Sequence, residues 1–231
     1  MSIIRIIKNH ESRVASIIFA LALIALTLKV GLGVAESSTP LAGTLIGNQA
    51  SASYTDALGV ARTVTSHTVE TMVIEKFGFV LSANNNKAVA PGGTVYFPHT
   101  IANAGNTSDS FKIKVSNLLG TGTTTNATCQ IFADSDGDGQ PDNLVAPLAI
   151  GDCSGSTGIE VASVGPVAAV QSYKFVVAVS TLSTAAADAS ATLKVDAGSL
   201  GDTTQSTSGY GGIVLAQNTD TLTVKMGAVF D

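Results

Sequence analysis

The densest run of chemically capable side chains is Asp134-Ser135-Asp136-Gly137-Asp138-Gly139-Gln140-Pro141-Asp142. Calcium is a hard cation that takes about six to eight oxygens. A loop with carboxylates at positions 1, 3, 5 and 9, a carbonyl at 7 and a glycine at 6 can wrap one ion. Asp134, Asp136, Asp138 and Asp142 fill the carboxylate positions, Gln140 can offer its carbonyl, and Gly139 falls at the turn. Position 12 is Val145, so the bidentate glutamate of a helix-loop-helix calcium site is missing. The expectation is a structural calcium ion held with the modest affinity of extracellular sites; the alternative is a solvated acidic turn.

Cys129 and Cys153 bracket this loop and are the only cysteines. Their separation, without a Cys-x-x-Cys spacing, suits one disulfide formed in an oxidising compartment. Closing a loop of that size would stabilise the fold by about 3.5 kcal/mol in the chain-entropy model. Beyond residue 35 the only histidines are His67 and His99. Each lies in a strand-like run, away from any glycine-rich nucleophile turn or metal-binding His pair, and is expected as a surface or cross-strand residue. There is no tryptophan and no phosphate-cradling loop. The chain is therefore read as a non-enzyme, with a hydrolase the least favoured reading. The formal net charge of -5, with no basic run in the body of the chain, excludes nucleic acid as a partner.

The elements that must position these groups are strands. Charged residues make up only 13% of the chain, and beyond residue 35 no segment sustains an apolar 3, 4, 7 spacing. The first 35 residues differ. Arg5, Lys8 and Arg13 precede an apolar run from Val14 to Leu28, followed by Lys29 and Gly33-Val34-Ala35. That order predicts a secretory signal helix over 1–35 with cleavage after Ala35. An uncleaved anchor is the alternative, against which the run falls short of the roughly 20 residues that span a bilayer. Removing four basic residues and Glu11 with this segment leaves 8 basic and 16 acidic residues, a net charge of -8. The only membrane contact expected is through this segment.

Residues 36–75 are expected to hold a lead-in and an extra hairpin, with β-prone runs Leu45–Tyr54 and Thr63–Ile74 around a gap at Thr55–Arg62. Residues 76–231 are expected to form a sandwich. Its strands are predicted at 77–83, 94–102, 109–116, 127–133, 172–180, 189–196 and 220–226, with a polar turn at Asn84–Lys87 and a Pro-Gly turn at Ala90–Gly93. Alternation places Tyr173, Phe175, Val177 and Val179 on one face, and Phe111, Ile113 and Val115 likewise. Phe79, Tyr96 and Phe97 are expected in the core. Short strands at this spacing with Gly, Asn, Asp and Ser punctuation predict an all-β, immunoglobulin-like sandwich with Greek-key connections. A loose echo links AGTLIGNQASASYTD and VTSHTVETMVI to AGSLGDTTQSTSGY and NTDTLTVKM near the C-terminus.

Taken together, AGTLIGNQASASYTDALG, VTSHTVETMV, APGGTVYFPHTIANAGNTSDSF and IFADSDGDGQPDN resemble the conserved-repeat, bacterial Ig-like module found in tandem in large surface and secreted proteins. The resemblance covers roughly 42–145 and continues weakly to Met226. Its most specific stretch is Pro91–Phe111, with the Asn103-Ala-Gly-Asn106 turn. It implies an extracytoplasmic stalk, matrix or adhesive role without an active site. The chain departs from the pattern in holding nearly a single unit. The favoured expectation is a secreted, self-associating subunit of a surface filament or matrix that uses strand addition; a monomeric adhesion module that binds a surface ligand through its loops is the alternative.

Overall fold

The computed structural model describes residues 39–227, except 83, 121, 122, 144, 203–214 and the side chain of Leu215. The expected signal segment 1–35 lies outside the described residues, as do 203–210, onto which much of the internal echo falls. All the elements below belong to one compact unit, Pro40–Asp231.

Alternating apolar residues build two five-stranded sheets facing one another, and no helix occurs among the described residues. The first sheet holds β5 (Phe79–Leu81), β7 (Thr94–Asn103), β12 (Ser172–Thr181), β9 (Thr125–Ala133) and β10 (Ala149–Asp152), in that order. The second holds β6 (Asn86–Val89), β14 (Leu215–Val224), β13 (Ser190–Ser199), β8 (Asp109–Ser116) and β11 (Ile159–Val167). Pairing is antiparallel except between β14 and β6. The chain steps between sheets from β7 to β8 and again from β12 to β13. Because β7 pairs with β12 and β8 with β13, the two steps interlock the layers. The all-β sandwich is as expected.

The inward faces bury Phe97, Phe111, Phe175, Ile113, Ile131 and Leu193 completely, and the Phe79 ring tilts against Phe111 at 5.2 Å between centroids. A large aromatic buried this way stabilises by about 2 to 3 kcal/mol through lost water contact alone. Cys129 and Cys153 form the expected disulfide, with Cα atoms 5.9 Å apart; both are fully buried, stapling β10 to β9.

Three strands differ from the sequence expectation. β6 covers Asn86 and Lys87, where the residue types predict a turn; it is an edge strand, where polar residues face water. β10 is four residues long, and β11 is broken by two register shifts around Gly165-Pro166, so neither shows sustained alternation. Phe79 and Phe97 pack as expected, but Tyr96 is half-buried on the outer face of the first sheet. Ser172–Ser180 also departs from the one-face reading, because Val176 and Ala178 are buried too. The acidic loop reaches this face beside Val176: a Cβ on Gly139 would be 3.7 Å from Pro98, which pairs with Val176.

Four further strands precede the sandwich. β1 (Leu45–Asn48) pairs with β4 (Val69–Met72), and β2 (Ser51–Thr55) with β3 (Ala61–Thr65), in a ribbon whose strands are exposed throughout.

Candidate functional site

The acidic loop grows out of the end of β9. The Asp134 N–H donates to the Lys174 carbonyl of β12 at 3.2 Å, which fixes the first carboxylate against the sheet and leaves it 2% exposed. Its two oxygens accept the N–H groups of Gly137 at 2.9 Å and Gly139 at 3.2 Å, curling the chain around it. Asp136 accepts from the Asp138 N–H and Asp138 from the Gln140 N–H, so each carboxylate caps the next turn. Oxygens of Asp134, Asp136 and Asp138 thereby come within 4.8 Å of one another. Burial pushes the Asp134 carboxyl above the usual range; the Gly139 and Gly137 N–H groups oppose this, while Asp136 and Asp138 add to it. Three carboxylates this close together offer oxygens of the kind a hard divalent cation takes.

Not all five expected ligands converge. The Asp142 carboxylate accepts the N–H of Ser135 at 2.9 Å and its hydroxyl at 2.6 Å, closing the neck of the loop. Gln140 is exposed and is held through its backbone N–H. Three carboxylates therefore form the core of the candidate cation site, and Asp142 acts as its latch.

The ribbon is the second candidate. The β1/β4 ladder continues to its base, where Gly43 donates to Val73 and Val73 to Thr44. At its tip Asp56 ties the turn, accepting from the N–H groups of Leu58 and Val60 and, at 2.9 Å, from Arg62. The Val60 N–H, then the Arg62 guanidinium, then the Leu58 N–H hold the Asp56 carboxyl below its usual range. Alternation in β2 and β3 sorts Ser51, Ser53, Thr55, Thr63 and Thr65 onto one face, and Ala52, Tyr54, Arg62 and Val64 onto the other. Leu45, Ile46, Tyr54, Leu58, Val64, Val69 and Met72 are each more than half exposed. His67 sits exposed at the bend between the two halves.

Asn106 joins ribbon to sandwich. Its side-chain oxygen accepts the Lys76 N–H at 2.7 Å, its amide donates to the carbonyls of Ile74 at 3.0 Å and Pro40 at 3.3 Å, and its own carbonyl accepts from Ala42. Both legs of the ribbon are thus clamped by one side chain. A Cβ on Gly105 would lie 2.5 Å from the Lys76 carbonyl oxygen, so the clamp requires glycine there. The Asn-x-Gly-Asn turn was legible as a turn, but its role as a joint was not.

His99 departs from the surface reading but keeps the cross-strand one, opposite Phe175 of β12. It is 1% exposed on β7, stacks on Phe175 at 5.2 Å, and its Nε2 lies 2.7 Å from Asp220 of β14, across the sandwich. The other Asp220 oxygen accepts the N–H and the side-chain amide of Asn85, which anchors the crossover from β5 to β6. The pair stitches the two sheets together inside the core, where neither His99 nitrogen meets solvent.

No family model and no curated protein sequence matches the chain. Among solved structures it is similar to CfaE, the adhesive subunit of CFA/I fimbria of enterotoxigenic Escherichia coli, with 11% identity over 82% of this chain and 60% of that one and a TM-score of 0.34. It is also similar to the seventh ScaB type I cohesin of Pseudobacteroides cellulosolvens (11% identity, 67% and 96% covered, TM-score 0.32) and to PapD-like domain 7 of human CEP192 (13%, 65% and 87%, TM-score 0.32).

Proposed function

We propose that this chain is a secreted structural protein of the bacterial cell surface or extracellular matrix, a non-catalytic subunit that self-assembles through the ribbon 40–75 by strand addition. The observation that carries this reading is the ribbon itself. An isolated two-stranded hairpin is marginal in water. Here one is held at its base by Asn106 while its large apolar side chains remain in solvent. Edge strands with unpaired backbone and exposed apolar residues are templates for another chain. His99, buried and stacked on Phe175, is closed to a substrate. The segments that resemble the conserved-repeat module supply the ribbon, β7, the Asn103–Asn106 joint and the start of β8. Membership in that family is part of the proposal, and with it the extracytoplasmic location that the disulfide favours.

Electron microscopy and sedimentation of the intact chain and of a chain lacking 41–75 test this. Ordered oligomers or fibres from the first and monomers from the second are expected. A persistent monomer in both would favour the adhesion module and overturn assembly.

The acidic loop is proposed to hold a structural calcium ion through Asp134, Asp136 and Asp138. At calcium a hundredfold above Kd the fold should gain about 2.7 kcal/mol. The test is the melting temperature with and without millimolar calcium: a rise that disappears in Asp136→Ala supports the site, and no rise removes it.

A further inference from the structure

Gly137 and Gly139 are fixed by the fold. Their φ angles are 77° and 79°, a conformation that residues with a Cβ rarely adopt, and a Cβ on Gly137 would run into the Lys174 side chain. Each glycine follows an aspartate. Asp136-Gly137 and Asp138-Gly139 are the only Asp-Gly pairs in the chain, which has no Asn-Gly pair. The loop therefore concentrates the backbone linkage most prone to rearrange in water. In such a pair the glycine nitrogen can attack Cγ of the aspartate before it, because no Cβ shields that nitrogen. The N–Cγ bond forms, and one carboxyl oxygen leaves as water, carrying the acid proton and the amide proton. Water then reopens the resulting five-membered imide at either carbonyl. One opening returns aspartate; the other leaves isoaspartate, whose backbone runs through Cβ and Cγ and is one carbon longer. Asp136 and Asp138 are both exposed, so solvent reaches them.

One residue stands against this reaction. Asp134, buried just beyond β9, accepts the Gly137 N–H on one carboxylate oxygen at 2.9 Å and the Gly139 N–H on the other at 3.2 Å. Each nitrogen attacks only after giving up its proton. At these distances the anionic nitrogen would face a carboxylate, so the contact that stabilises the N–H opposes its removal. The reacting carboxyl groups are restrained as well: Asp136 accepts the Asp138 N–H and Asp138 the Gln140 N–H, each from the residue beyond its glycine. Asp134 itself precedes Ser135, whose Cβ shields that nitrogen.

We infer that Asp134 is a protecting residue: by holding the nitrogens of Gly137 and Gly139 as hydrogen-bond donors, its carboxylate keeps both Asp-Gly bonds of an exposed loop from isomerising. Both hydrogen bonds form within the chain, so the protection is independent of any cation in the loop.

The test incubates the full chain, Asp134→Ala and Asp142→Ala for several weeks at physiological temperature and neutral pH, with a chelator present. Peptide mapping with electron-transfer fragmentation separates isoaspartate from aspartate at 136 and 138. In the folded parent isoaspartate should form about tenfold or more slowly than in the same chain unfolded in urea, the factor that one hydrogen bond to a charged group is worth. Asp134→Ala should approach the unfolded rate, with a cooperative melt above the incubation temperature showing that it folds. Asp142→Ala frees Ser135 but leaves both glycine N–H groups on Asp134, and it should stay near the parent rate. A folded parent that isomerises at the unfolded rate would overturn the inference. Equal acceleration by the two substitutions would overturn it too, by assigning the protection to order in the loop as a whole. Should Asp134→Ala fail to fold, hydrogen exchange of the Gly137 and Gly139 amides in the parent takes its place: slow exchange at both is expected, and fast exchange at both would overturn the assignment to Asp134.

Discussion

The ribbon and the sandwich are written in the same residues, Val, Thr, Ser and Ala in alternation, yet one leaves its apolar face in solvent and the other buries it. In β8, Phe111, Ile113 and Val115 alternate with Ser110, Lys112 and Lys114, and the first set is fully buried against the opposite sheet. In β2 and β3 the same period sorts Ala52, Tyr54 and Val64 from Ser and Thr, but among the described residues no second layer covers them. Period two therefore specifies a face that is fit for burial. Whether the covering layer comes from the same chain depends on the strands that other segments contribute.

The sharpest contrast is a core truncation set against a ribbon truncation. Phe175→Ala should cost about 3 to 5 kcal/mol in denaturant unfolding, because it empties the centre of the sandwich and removes the ring on which His99 stacks. Val64→Ala in the dilute protein should stay within about 0.5 kcal/mol. A large loss from the ribbon variant would mean that the ribbon is packed in the monomer. Reduction of Cys129–Cys153 should cost about 3.5 kcal/mol, read as a lower urea midpoint. It should leave proteolysis of the ribbon unchanged, since the staple lies on β9 and β10. Asp220→Ala is expected to cost about 3 kcal/mol, as removing one member of a buried pair strands the other. Asn85 would lose its anchor in the same step. At the joint, Asn106→Ala should change global stability by about 1 kcal/mol but speed limited proteolysis within 40–76. Unchanged cleavage would show that the clamp does not order the ribbon.

Much of the sandwich was legible because its central strands are long and alternate cleanly, as at Thr94–Ala102 and Asp109–Ser116. The bracket of Cys129 and Cys153 was legible from spacing and count alone. The outer-face burial of Val176 was not, since the acidic loop that returns to the sheet beside its partner Pro98 lies some 40 positions away in sequence. His99 and Asp220 are separated by 121 positions, and neither has a local signal announcing a partner. At the acidic loop, spacing brought out Asp134, Asp136 and Asp138, whose oxygens do converge. It grouped Asp142 with them because spacing does not register Ser135, whose two donors turn that carboxylate aside. The joint at Asn106 combines both cases: the turn is local, but the legs it holds come from Pro40 and Ile74.

Hydrogen exchange of the ribbon amides, measured in dilute monomer and in assembled protein, tests the central claim most directly. Amides of 43–73 should exchange fast in the monomer and slow by about tenfold or more on assembly, while those of β7, β12 and β13 stay protected in both. Ribbon amides already protected in the monomer, or equally fast in both states, would contradict the account.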